Sequence, residues 1–451
     1  MKLPSTLKQL ALAGALALVS GSTLALDLVG AYAKARGYDP ARLAADEAVV
    51  AGREKRVQGA ALLLPQMSFS ASYSYVRDKT SVSLPPVFSD LIKSEGSGTV
   101  HQAAVQLSQP LYNAKASADK KQLAEQSELA EVSYRNADQD LIQRVAEAYF
   151  NVLLAQEALR VNQAEKAAVR LQRDRAQARF DVGRGKITEL QESQARYDAV
   201  LAKEVSATST LALRQAQFLE VTGAPAEGLA EVRSSFQPVP PQPENLASWQ
   251  AKGMAENTRV LTKQSELTIA SAEIGKYKLS GRPTLELVAS YTNKGQNGGL
   301  SPAMSPDNSN VGVIGVQLSV PLFNGGSLDS RERESIAKRR QAEHELNAAQ
   351  RDVRVQVQDA YLAVTTGVAR IGALEQSVLS ATTALEATSL GRDVGTRTEL
   401  DVLDAQQRLF SAQLDLAQAR SDYLLGRVRL AAAAGQLEEG DLRALNAYLA
   451  R

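Results

Sequence analysis

The chain contains no cysteine in its 451 residues. That excludes disulfides, thiolate metal sites, a cysteine nucleophile and a lipid anchor on an N-terminal cysteine. Aromatic residues make up only 5%, so close-packed, alanine-rich helices are favoured over a bulky core. There are two histidines, His101 and His344. "HELNA" (344–348) has the start of the zinc-binding HExxH helix without its second histidine, so no two-His face exists. "GRGKIT" (183–188) has a Gly-Lys step without the P-loop glycine spacing, and Ile187 stands where Ser or Thr would bind magnesium. No Gly-x-Ser-x-Gly elbow occurs. Neither sign of charge dominates: the net is +1, which gives no field for nucleic acid. We therefore expect no catalytic residue, no cofactor, no metal and no nucleic-acid partner.

Long apolar runs are also scarce. Only residues 10–19, "LALAGALALV", form one; it follows Lys2 and Lys8 and precedes small residues near Ala25. This is a secretory signal pattern, expected over 1–25, and it is too short to span a bilayer. No later stretch approaches the ~20 apolar residues of a membrane helix.

What is present is a duplication. "VQLSQPLYN" (105–113) recurs as "VQLSVPLFN" (316–324), and "VAEAYFNV" (145–152) as "VQDAYLAV" (357–364). "DVGRGKITELQESQAR" (181–196) aligns without gaps on "DVGTRTELDVLDAQQR" (393–408). Tyr149 to Tyr361 and Gly183 to Gly395 share one offset, 361 − 149 = 395 − 183 = 212 residues. Landmarks in one order mark a repeated structural unit. We expect a first repeat over 26–236, a Pro-rich linker over 237–244, a second repeat over 245–437 and a tail over 438–451.

Each repeat should begin with a modest helix, 28–63 and 246–279. Two strands follow. In "QMSFSASYSYV" Met67, Phe69, Ala71, Tyr73 and Tyr75 alternate with serines, the period of a strand. Val105 and Leu107 repeat the pattern up to Pro110. So do Leu285, Leu287, Ala289 and Tyr291, then Ile314, Val316, Leu318 and Val320. Long polar loops, 77–99 and 293–310, join the strands of each pair. Such faces suit either a soluble sheet on a core or barrel strands with lipid outside and water inside. Long helices come next, with Asn113 and Asn324 as candidate caps. Apolar residues at Val353, Val357, Ala360, Tyr361, Val364, Val368 and Ile371 follow the 3–4 spacing of a coiled coil. Residues 113–180 hold no proline or glycine, which allows roughly 100 Å of helix.

Four strands cannot close a barrel, and an open edge in lipid leaves backbone groups unpaired. Several copies must then share one. At this point the chain resembles the TolC family of outer-membrane channel proteins, and within it TolC itself and the type I secretion components. The resemblance spans nearly the whole mature chain and is most specific in "DVGTRTELDVLDAQQRLFSAQLDLAQAR", "ARYDAVLAKEV" and "GQLEEGDLRALN". It implies an α+β fold. A homotrimeric transmembrane β-barrel, four strands per chain and 12 in total, continues as an α-helical coiled-coil barrel with a mixed equatorial collar. It further implies residence in the outer membrane of a Gram-negative bacterium, in contact with its lipid. The implied work is export of drugs or secreted proteins with a periplasmic adaptor and an inner-membrane pump of the ABC, RND or MFS type. The rival is a periplasmic coiled-coil adaptor or scaffold without a pore, which has no use for two aromatic-serine strand pairs.

The resemblance also assigns residues. Val182, Gly183 and Arg184, with Val394, Gly395 and Thr396, match the periplasmic tips on which the adaptor docks. Asp401 and Asp404 match aspartate rings at the narrow periplasmic mouth, a cation-selective constriction. Read without the resemblance, these two residues cap and solubilise a helix start, where its dipole favours anions. Arg397 matches a tip arginine and Glu189 its acidic partner, an ionic link that holds the mouth shut. Arg392 replaces the family's tyrosine two residues before the second Val-Gly, and Glu192 replaces an amide.

Overall fold

The computed structural model describes residues 26–79, 95–233, 236–298 and 308–450. The expected signal peptide, most of the first polar loop and half of the second lie outside them. The described elements run α1 (Leu28–Arg36), α2 (Pro40–Ala61), β1 (Gln66–Lys79), β2 (Glu95–Tyr112), α3 (Ala114–Asp181) and α4 (Ile187–Thr222). The same order then recurs as α5 (Leu246–Glu256), α6 (Thr258–Ser280), β3 (Thr284–Gly298), β4 (Asn308–Ser319), α7 (Ser327–Asp393) and α8 (Glu399–Ala433), with α9 (Glu439–Asn446) last.

Each opening helix is two helices rather than one. Asp39 ends the first turn of chain after α1 and caps α2, its Oδ1 accepting from Arg42 N at 2.9 Å. Pro40 holds the first helical position, where its missing N–H costs nothing. Asn257 does the same for α6, accepting from Arg259 N at 2.9 Å. Of the expected long-helix caps, Asn113 is one: its Oδ1 accepts from Ala116 N at 2.9 Å. Asn324 is not. Gly325 and Gly326, at φ +59° and +75°, carry the chain past it, and α7 starts only at Ser327. α3 runs 68 residues unbroken, as a segment free of proline and glycine should.

The four strands form one antiparallel sheet in the order β1-β2-β3-β4. Register brings the expected faces together. Met67 lies opposite Leu107, which lies opposite Ala289, which lies opposite Ile314; Phe69, Val105 and Tyr291 form the next row. Phe69 and Ile314 are 70% and 78% exposed in the single chain. The other face carries Ser68, Gln106 and Ser290 in one row, then Ser72, Gln102 and Lys294. The strands, of 14, 18, 15 and 12 residues, exceed the ~10 of a bilayer crossing. Pro110 does not end β2; the strand goes on to Tyr112 through a register shift between Pro110 and Tyr112. β1 and β4 are the edges of this sheet.

The chain divides into two compact units. One comprises the described parts of Val49–Glu131 and Thr262–Leu346 and contains the sheet. The other comprises those of Met1–Ala48, Val132–Leu261 and Asn347–Arg451. Its core gathers Leu28, Tyr32, Leu141, Ile142, Val145, Tyr149, Phe150, Phe218 and Leu424. The C-terminal tail belongs to that core: Leu442, Leu445 and Leu449 are buried in it. Asn446 supplies Oδ1 to Leu28 N at 3.1 Å and donates from Nδ2 to Asp27 Oδ2 at 2.6 Å. Among the described residues, no helix is long and apolar enough to cross a membrane.

Candidate functional site: the two hairpin turns

Two sharp turns reverse the long helices, and the residues singled out in sequence sit on or just after them. In the first, Gly183 adopts φ +70°, a conformation only glycine takes without strain. Its N–H donates to Phe180 O at 2.9 Å, and Arg184 N donates to Arg179 O at 2.8 Å. Val182 projects 70% exposed. Lys186 precedes α4 and provides no side-chain cap. In the second, Gly395 has φ +83° and Val394 is equally exposed. This turn is more tightly tied. The Gly391 carbonyl accepts from Thr396 N at 2.8 Å, Arg397 N at 3.1 Å and Thr396 Oγ1 at 3.0 Å.

Thr398 and Asp401 then form a reciprocal capping box at the start of α8. Thr398 N and Oγ1 lie 2.8 and 2.9 Å from Asp401 Oδ2, and Asp401 N donates to Thr398 Oγ1 at 3.2 Å. The Thr398 backbone N–H, then its hydroxyl, hold the Asp401 carboxyl below the usual carboxylate range. Capping is therefore part of what Asp401 does, and the carboxylate stays charged while doing it. Asp404, one turn on, contacts the Arg196 guanidinium of α4, which also reaches Gln407 Oε1. A half-exposed pair of this kind contributes about 0.2–1 kcal/mol.

Arg392, which stands where the family has a tyrosine, turns inward. It pairs with Asp393 at 2.7 Å and with Glu399 at 3.6 Å, and the Glu399 side chain is only 8% exposed. Glu399 was not singled out in sequence; its only signal was a carboxylate in the first turn of α8, seven residues from Arg392. Arg397 and Glu189 are not joined to each other in the single chain, and Arg397 lies exposed. Among the described residues no group of three or more His, Asp or Glu side chains is placed to hold a metal. His344 is exposed on α7.

The sheet leaves β1 and β4 as open edges and one apolar face uncovered, and it is joined in sequence to paired helical hairpins. The outer membrane efflux protein model matches residues 31–224 and 254–436, once on each repeat. The outer membrane protein TolC of Vibrio cholerae is 33% identical over 96% of this chain and 96% of its own length. The alkaline protease secretion protein AprF of Pseudomonas aeruginosa is 32% identical over 95% and 88%. In fold, the CmeC outer membrane channel of Campylobacter jejuni superposes with a TM-score of 0.77 at 16% identity, over 93% of this chain and 89% of that one. CusC gives 0.76 over 91% and 92%, also at 16% identity. The chain belongs to the outer membrane efflux protein family. It is an outer-membrane export channel of the TolC type.

Proposed function

We propose that three copies of this chain build one channel-tunnel, with a shared 12-stranded barrel, and that the hairpin turns are its periplasmic mouth. The observation that supports this reading best is the sheet: four strands, two free edges, one apolar face exposed to the surroundings. In lipid each unpaired backbone group on an edge costs several kcal/mol, so the edges of neighbouring copies must pair. The scaffold alternative leaves that face unexplained.

On this reading Asp401 and Asp404 form the acidic mouth, a threefold ring that favours cations. Arg397 of one copy meets Glu189 of the next and holds the mouth closed. The exposed turns around Val182, Gly183, Arg184, Val394, Gly395 and Thr396 dock an adaptor, which brings an inner-membrane pump of the ABC, RND or MFS type. A repeated array of identical turns is a regular docking surface. The cargo is drugs or secreted proteins; two relatives, AprF and the proteases secretion protein PrtF of Dickeya chrysanthemi, carry protease secretion in their names.

Reconstitution of the full chain into planar bilayers tests this. The parent channel is cation-preferring and blocked by a trivalent cation from the mouth side. Asp401→Ala with Asp404→Ala abolishes the block and leaves assembly intact; undiminished block removes both residues from the mouth. Arg397→Ser raises resting conductance, and a variant as closed as the parent takes Arg397 out of the gate.

A further inference from the structure

Asp404 is not a free carboxylate in this chain. Arg196 Nη2 contacts Asp404 Oδ1 while Arg196 Nη1 contacts Gln407 Oε1. Asp404 and Gln407 stand three apart on α8, hence on one helix face. One planar guanidinium therefore grips two points, a geometry lysine does not reproduce. Arg196 and Asp404 come from different hairpins, α3–α4 and α7–α8. The grip is seated on a small apolar contact: Val169 of α3, Val200 of α4 and Leu403 of α8 are buried together, with Tyr197 packed on them. Arg173 lies over the Tyr197 ring at 4.4 Å from its centroid. One turn before Asp404, Asp401 faces no such partner on α4; its Oδ2 is taken by Thr398, and Arg397 and Arg408 act on it only through their charge.

We propose that Arg196 is an internal latch that ties the two hairpins of one chain together and masks the charge of Asp404 while engaged. The closed mouth then carries the charge of Asp401 alone. When the hairpins part, Asp404 is released and a second set of carboxylates joins the first. Opening and cation preference are thereby coupled through one side chain. This rests on the placement of Asp401 and Asp404 at the mouth given above.

The test uses the full-length channel in planar bilayers, read as resting conductance and as affinity for a trivalent blocking cation. Arg196→Gln raises resting conductance and strengthens block several-fold. Arg196→Gln with Asp404→Asn keeps the raised conductance and loses the added affinity. The exchange Arg196→Asp with Asp404→Arg rebuilds the ion pair between the hairpins without the arginine's grip on Gln407 and brings conductance down from that of Arg196→Gln toward the parent; no recovery at all overturns the latch. Parental conductance and block in Arg196→Gln overturn the latch. Block that survives Asp401→Ala with Asp404→Ala overturns the mouth placement and the charge-masking half of the proposal. Conductance and the exchange rescue still decide the latch in that case. If Arg196→Gln does not assemble, Arg196→Lys serves instead: it retains the charge and loses the second grip on Gln407. It must raise conductance without strengthening block, and parental conductance in it overturns the latch.

Discussion

The joint between α1 and α2 and the joint between α5 and α6 solve one backbone problem with different chemistry. At both, the helix pair breaks at a capping residue, Asp39 or Asn257, beside a glycine with positive φ that ends a hairpin helix, Gly223 or Gly435. The first joint is ionic. Arg144 grips Asp39 through two contacts at 2.6 and 3.0 Å. Arg42, 2% exposed, pairs with Asp46 at 2.5 Å and Asp138 at 2.9 Å, and its guanidinium lies 4.4 Å from the Tyr134 ring centroid. The second joint is held at its capping residues by amide and hydroxyl groups. Asn257 donates to Ala433 O at 3.0 Å, and Thr258 Oγ1 donates to Asn136 Oδ1 at 2.7 Å. The two joints share one backbone plan, and the first carries a charge network whose members depend on one another.

The largest effect separating the joints should come from Arg42→Ala. It removes the buried side chain that joins Asp46, Asp138 and the Tyr134 ring, and the loss is read as thermal stability in detergent. A loss no larger than that of Asn257→Ala would erase the distinction. Gly435→Ala should come next and exceed Gly223→Ala. An added Cβ at Gly435 meets the Glu256 backbone at 2.3 Å, whereas at Gly223 it meets the ring of Tyr38, a half-exposed side chain, at 2.5 Å. Both carry the ~1–2 kcal/mol of a left-handed residue; equal losses would show that the Glu256 backbone yields. Asn257→Ala should cost about 1–2 kcal/mol, the value of a cap with its hydrogen bonds.

The smallest effect is the dependence on acid. Hydrogen bonds from Arg144 hold the Asp39 carboxyl below its ordinary range, and hydrogen bonds from Arg42 do the same for Asp46. A folded-state pKa below the unfolded one gives stability that is present above the ordinary carboxylate value. That stability is lost as pH falls through the lowered one. The first joint therefore loosens below about pH 4, whereas the Asn257 amide has no proton to gain. Asp39→Asn keeps the cap, makes the first joint like the second, and should shrink the fall in melting temperature between neutral and acid solution. An unchanged fall would place the acid-sensitive groups elsewhere.

Much of the architecture was legible because it is periodic. Serine alternation gave the strand faces, the absence of proline and glycine from 113–180 gave α3, and the offset of 212 residues gave the second repeat. The turns were legible because a glycine must sit where φ is positive. The helix break at Asp39 is marked in sequence by Gly37 and Pro40 on either side of it, whereas Asn257 stands with no proline or glycine beside it. The tail's part in the core was not legible, because Asn446 meets Asp27 across nearly the whole chain. Nor was the Arg196 contact, since nothing in local spacing ties residue 196 to residue 404. Glu399 was missed because a carboxylate in a first helical turn ordinarily faces water.

The number of chains per pore tests the account most directly. Full-length protein, exported and purified in detergent, should show by native mass measurement a closed assembly of three chains that dissociates on heating. A stable, single-copy protein in buffer without detergent would mean that β1 and β4 need no neighbour, and the shared barrel and its acidic mouth would go with it.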